Sequence, residues 1–282
     1  MSSTQVSPTV AVRCSPVVAA LLLLASGCSN DEGAKTPSIS LDAAFEASPF
    51  ASGDASVTGF VTDVAGEPLA AVPVSMCAAA CWPSVTDVSG RFHFSDLSPD
   101  DYAVDVRGDR VADDQLLSTI FSLPVRAGTQ QLAAPVRLYR ADIGQSWNGA
   151  DRLTIGGLEL TPLQPLDVAE LQRLTGDTSI SGVMVPPADW PSYRLVHAGV
   201  TYEPRAMWAL RPFAHVLPAA LELRIGDPVG HVVDAETALF LVDVTTGQGQ
   251  WVGAAEPADS ERPGATIGVI SWVILAAPST AG

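Results

Sequence analysis

From Val57 onward, turn residues cut the chain into short alternating stretches every 8–12 residues or so, and this spacing limits the possible fold more than any other feature. Val57 to Val64 alternates apolar with polar or small residues and stops at the turn Ala65 to Pro68. Leu69 to Met76 reads as a second strand with Val72, Val74 and Met76 on one face, because successive strand side chains point to opposite sides. Ser84 to Thr86, Arg91 to Phe94 and Tyr102 to Arg107 continue the series, separated by the turns Asp87 to Gly90 and Leu97 to Asp101. A strand of this kind buries one face only, so it must pair sideways and stack on a second sheet. The expectation is an all-β chain made of two β-sandwich domains in tandem.

The second half keeps the rhythm less strictly. Strands are expected at Leu158 to Leu160, Ile180 to Val185, Ala206 to Leu210, Leu221 to Ile225, Ala238 to Val242, Gln250 to Val252 and Ala265 to Leu275. Asp167 to Leu174 reads as a short helix, since Val168, Leu171 and Leu174 recur at helical spacing. Between the halves, residues 141–156 are rich in Gly, Asn and Asp around Trp147 and read as a junction. This places a first β-sandwich at 57–140 and a second β-rich domain at 157–282.

The N-terminal segment is of another kind. Residues 1–27 carry one charge, Arg13, and an apolar stretch from Val17 to Ala25. That stretch has the length of a signal-peptide core and is too short to span a bilayer, which needs about 20 apolar residues. It ends in Ala25-Ser26-Gly27 directly before Cys28, a succession that resembles a bacterial lipobox. Ala25 stands where lipoboxes most often have Leu. An ordinary cleaved signal and a retained helical anchor are the alternatives. The resemblance implies a palmitate-type lipid on Cys28, and several acyl chains are needed for stable anchoring. Ser29 rather than Asp follows, which by the rule for such proteins implies the outer membrane. The rest of 28–56 is rich in Ser, Ala, Asp, Gly and Pro and reads as a flexible tether with an r.m.s. span of ~25–30 Å.

Cleavage would leave 282 − 27 = 255 residues, and loss of Arg13 would take the formal charge from −16 to −17. So acidic a chain is unsuited to nucleic acid or anionic headgroups, which are held by Lys and Arg. Apolar residues make up 47% and charged ones 16%, so the chain buries a core rather than remaining disordered. Of the four cysteines, Cys14 leaves with the leader and Cys28 takes lipid, so Cys77 and Cys81 remain. In an oxidising envelope the simplest use of such a pair is a disulfide. Along a straight strand their Cα atoms would lie ~13 Å apart, too far to bridge, whereas one helical turn would bring them to ~6 Å. A turn across Ala78 to Ala80 is therefore expected. Two thiolates do not complete a zinc shell, and a redox pair prefers a Cys-x-x-Cys spacing.

Thr58-Gly59 with Val61, Asp63 with Gly66 and Pro68-Leu69, Val72 with Val74, Thr86-Asp87 with Gly90 and Phe92, then Leu97 and Tyr102 with Val104, fall in an order that resembles the carboxypeptidase regulatory-like domain. That resemblance implies a seven-stranded transthyretin-like sandwich over residues 57–140, used as an accessory module, with no catalytic residues. Farther on, Trp208, Leu210, Pro212-Phe213, Leu217-Pro218, Leu221 and Leu223, Leu239-Phe240, Asp243, Thr246-Gly247 and Trp251-Val252 form a succession similar to a ZU5-like β-sandwich. It too implies a structural or interaction module.

Chemistry is sparsely signalled. No nucleophile elbow, His-Glu-x-x-His helix, phosphate-binding loop or dinucleotide fingerprint occurs after Cys28. His93, His197, His215 and His231 are far apart, and His93 should face away from Phe92 and Phe94. Asp100, Asp101 and Asp105, or Asp109 with Asp113 and Asp114, offer clustered oxygens for calcium, but turn aspartates ordinarily bond their own backbone. Trp82, Trp147 and Trp190 fall in expected loops and are the candidates for a sugar-binding platform; Trp208, Trp251 and Trp272 fall in strand patterns and should be core. The expectation is a non-enzymatic envelope lipoprotein without cofactor or metal. Its partners would be the membrane through Cys28 and an envelope protein, with a carbohydrate or peptidoglycan ligand as the alternative.

Overall fold

Strand β1 (Ala55–Thr62) turns its alternation directly into burial, with Ala55, Val57 and Val61 inside. The computed structural model describes residues 53–279, apart from 112–114, 142–148, 177–178, 227–232, 234–235, 261 and 263. Strand β1 thus starts at Ala55, ahead of the expected Val57. Gly53 already lies so close to Leu97 that a Cβ would sit 1.8 Å from the Leu97 carbonyl oxygen.

β1 pairs antiparallel with β4 (Arg91–Leu97) and parallel with β7 (Gly128–Gln131) and β8 (Val136–Arg137). The facing sheet runs in the order β3 (Cys81–Val85), β2 (Pro73–Cys77), β5 (Asp100–Val106), β6 (Thr119–Val125). Between them Val57, Val61, Val74, Met76, Phe92, Tyr102 and Val104 form one apolar layer. Two turns that link strands are built alike. The carboxylate of Asp63 accepts from the backbone N–H of Ala65 and Glu67, and that of Asp87 from those of Ser89 and Arg91. Gly66 and Gly90 close these turns with φ of 85° and 73°, a region open to glycine at little cost.

The second sandwich has one sheet in the order β17 (Ala265–Ile270), β14 (His215–Ile225), β10 (Leu158–Pro162), β9 (Leu153–Ile155). Its partner runs β11 (Ser181–Val185), β13 (Val200–Arg211), β18 (Val273–Pro278), β15 (Ala238–Val242), β16 (Gly249–Ala254), with β12 (Val196–His197) added to β13. Leu160, Trp208, Leu221, Leu223, Ile267 and Leu275 lie between these sheets. Helix α1 (Val168–Thr175) starts at Asp167, whose side chain accepts from the N–H of Ala169 and Glu170, and stops at Gly176 in the left-handed region. Leu171 is buried, whereas Leu174 is exposed rather than on the packed face expected of it.

Two sequence expectations need correction, and three further strands carry no sequence signal. β9 lies inside the stretch read as a junction. The single strand expected from Ala265 to Leu275 is two, because Ser271 and Trp272 leave the ladder between β17 and β18. Ser271 turns its hydroxyl to the Val242 carbonyl instead, at 2.7 Å. Finally, β6, β7 and β8 complete the first sandwich from residues that show little alternation.

The two sandwiches are joined face to face. Ala103, Leu117, Ile120 and Tyr139 of the first share a buried cluster with Met207, Phe213, Phe240, Trp272 and Ile274 of the second. The Trp272 indole donates to the Ser118 carbonyl at 2.8 Å, and the Tyr193 hydroxyl to that of Ile120 at 3.0 Å. Because β13 and β15 belong to a sheet covered on both sides, residues 206–210 and 238–242 are buried without interruption. All described residues belong to one compact unit, Glu46–Gly282.

Candidate functional site

Cys28 and Trp147 lie outside the described residues. Cys77 and Cys81 are bonded to each other. They are directly opposed partners of the β2–β3 hairpin, with Cα atoms 4.0 Å apart. The connection is therefore a hairpin loop and not the helical turn that was expected. Antiparallel pairing supplies the close approach that a single straight strand cannot.

Of the candidate sugar-binding tryptophans, the two described, Trp82 and Trp190, pack onto the protein itself. Trp82 is on strand β3 rather than in a loop, half-buried, and edge-on to Tyr102 at 5.6 Å. Trp190 does lie between strands, but it packs on the join and donates its indole N–H to the Val185 carbonyl at 2.7 Å. Trp208 and Trp272 are core, as their strand patterns suggest. Trp251 is not: it is 38% exposed on the edge strand β16.

Trp251 stacks flat on His197, with ring centroids 4.2 Å apart and planes 14° from parallel. Exposed Val200, the cross-strand partner of His197 on β13, lies beside this pair. An aromatic and aliphatic surface thus sits at the edge of the five-strand path. The sequence carried one signal for it. Gly249 precedes Gln250 and Trp251, and it lets Leu195 approach so closely that a Cβ there would lie 2.1 Å from a Leu195 methyl. The strap from Arg194 to His197 can then lie across β16 and bring His197 onto the indole. His93, by contrast, shares a hydrogen bond with Thr58 at 3.0 Å on an exposed strand face, and His231 lies outside the described residues.

Of the aspartates with clustered oxygens, Asp113 and Asp114 lie outside the described residues, Asp100 accepts from the backbone N–H of Asp101, and Asp105 and Asp109 lie beside Arg107. Arg107 donates two hydrogen bonds to Asp109, at 2.9 and 2.7 Å, and the Ser118 hydroxyl donates a third. Burial pushes the Asp109 carboxyl up, but these donors outweigh it and hold it below the usual range. Among the described residues no group of three or more His, Cys, Asp or Glu side chains converges as metal ligands do. Next to this cluster a cavity of about 360 Å³ is lined by Asp109, Arg110, Leu174, Gly176, Arg211, Pro212 and His215. No helix among the described residues is long and apolar enough to cross a membrane.

No family model matches the chain, and a search of curated proteins finds no match. Among solved structures, it is similar to a candidate carbohydrate binding protein from Bacteroides uniformis at 12% identity and a TM-score of 0.26. That match covers 38% of this chain and half the length of the other. A DUF3823 family protein from Parabacteroides merdae is similar at 11% identity over 80% of this chain and 81% of its own, with a TM-score of 0.23. Another, from Bacteroides ovatus, matches at 10% identity over 80% and 97% with the same TM-score. Similarity this low carries no argument about what the chain does.

Proposed function

We propose that the chain is a lipid-anchored protein of the bacterial envelope, held through Cys28, that acts without catalysis as a structural or protein-interaction module. The tether ahead of β1 would lift two β-modules off the membrane, the first carboxypeptidase regulatory-like and the second ZU5-like, with the outer membrane as destination. The observation that carries this reading is the apolar join: it makes one body from two sandwiches, while the exposed Trp251 and His197 pair offers a contact surface at its edge. Aromatic side chains of this kind anchor protein interfaces, since a flat ring covers much area at small entropic cost.

Two measurements in the bacterium that makes the protein test this. A fatty-acid analogue should label the wild type and leave Cys28→Ala unlabelled and released from membranes; an unlabelled wild type removes the anchor. A photocrosslinking residue at position 251 should yield a discrete protein adduct, and its absence counts against the contact surface. A second reading, binding of carbohydrate or peptidoglycan, is favoured by the same flat ring pair rather than by Trp82 or Trp190. Soluble peptidoglycan fragments should then bind the wild type and not Trp251→Ala, and no binding by the wild type ends that reading.

A further inference from the structure

Strand alternation puts Tyr102, Val104 and Val106 into the core of the first sandwich, so Asp105 points the other way, with Ala103, toward the join. There its charge is poorly answered. Oδ2 is 3.7 Å from the Arg107 guanidinium, and Oδ1 is buried without a hydrogen-bond partner. Arg107 instead spends two N–H groups on Asp109, and its guanidinium carbon lies 5.7 Å from the centre of the Phe213 ring, across the join. Ser118, which donates to Asp109, presents its carbonyl to the Trp272 indole of the second sandwich. Two carboxylates thus share one arginine at a point where two aromatic anchors of the join, Phe213 and Trp272, touch the cluster.

We propose that Asp105 makes the join between the two sandwiches sensitive to mild acid, tightening it when the carboxyl is protonated and loosening it when ionised. Protonation removes one of two negative charges competing for Arg107 and leaves a neutral group in a site that hydrates a charge poorly. Burial, opposed by Arg107, pushes the Asp105 carboxyl up to about 6. The folded protein therefore holds this proton at pH values where the unfolded chain, near 3.8, has released it. The contribution is complete below about 4 and is lost as pH rises through about 6. Other charged groups surround the cluster. Arg110 acts on both carboxylates, and Arg211 and His215 line the adjoining cavity. On the neighbouring strands Ser75 and Ile120, which pair with Asp105, bring no charge.

The test compares Asp105→Asn with the wild type in urea unfolding at pH 5.0 and 7.5. The variant keeps the shape of the neutral acid, and at pH 5.0 the unfolded wild type has already released its proton, so the variant's folding constant should be higher by about one power of ten. At pH 7.5, where the folded wild type is ionised as well, the lead should grow to about two powers of ten. Hydrogen exchange of the wild type, corrected for intrinsic rate, should lose protection between the two pH values in β5, β6 and the β13–β14 turn. Asp109→Asn should instead destabilise at pH 7.5, because it removes the carboxylate that Arg107 holds. His215→Gln should leave the wild-type pH difference in place. A difference between Asp105→Asn and wild type that is the same at both pH values overturns the proposal. So does a pH-dependent loss of protection that His215→Gln abolishes.

Discussion

Gly66 and Gly247 both adopt left-handed backbone, at φ of 85° and 65°, but their surroundings differ. A Cβ at Gly66 would meet nothing within 4 Å, whereas at Gly247 it would lie 2.5 Å from the backbone carbon of Phe121 in the other sandwich. Gly66→Ala should cost about 1–2 kcal/mol, the conformational penalty alone. Gly247→Ala should cost roughly 2–4 kcal/mol, because overpacking at the join adds to that penalty. Equal shifts in urea midpoint for the two variants would show that Gly247 does not serve the join. The same residue scale explains what could be read in advance. Gly66 and Gly90 were legible as turn residues because local chain reversal demands them. The role of Gly247 was not, because its neighbour Phe121 is more than a hundred residues away in sequence. Trp251 was misread for a related reason: its strand pattern is that of a core residue, but β16 is an edge, and no local feature states which strand of a sheet lies outermost.

Elements were legible where one face is buried and the other wet. β1, β2, β4 and β5 alternate, and the helix at 168–175 carries both its cap and its period. β6 holds Pro124, and β7 is polar throughout, so neither shows the pattern. The continuous runs of β13 and β15 carried more than was read from them, because a strand apolar on both faces belongs to a sheet covered on both sides. The β2–β3 hairpin yields a prediction at this scale. Its disulfide closes a loop of three residues, so chain entropy limits its contribution to about 2 kcal/mol. β2 is also paired with β5, which keeps the hairpin in register without the bridge. Reduction should therefore lower Tm by roughly 4–8 °C and leave the circular dichroism of the folded state unchanged. Loss of the β signal on reduction would mean that the bridge, and not the ladder, holds this sheet.

At the scale of the whole molecule, four sheets lie in succession, and the middle two press together through Phe213, Phe240 and Trp272. Each large side chain fully buried there contributes about 1.5–3 kcal/mol, so the join rivals a sandwich core in cohesion. Further links lie at the rim. Arg137 meets Asp189 at 2.6 Å, and the Tyr139 hydroxyl donates to the same carboxylate. Burial and that carboxylate together push the Tyr139 hydroxyl well above its ordinary range, so it stays a donor throughout the working pH. A protein of this build presents one surface, including the Trp251 edge, rather than two modules on a hinge. Scanning calorimetry of the whole protein at neutral pH tests this most directly. One transition, with calorimetric and van 't Hoff enthalpies that agree, is the expected result, and Phe213→Asp should split it into two. Two separate transitions in the wild type would contradict a single body.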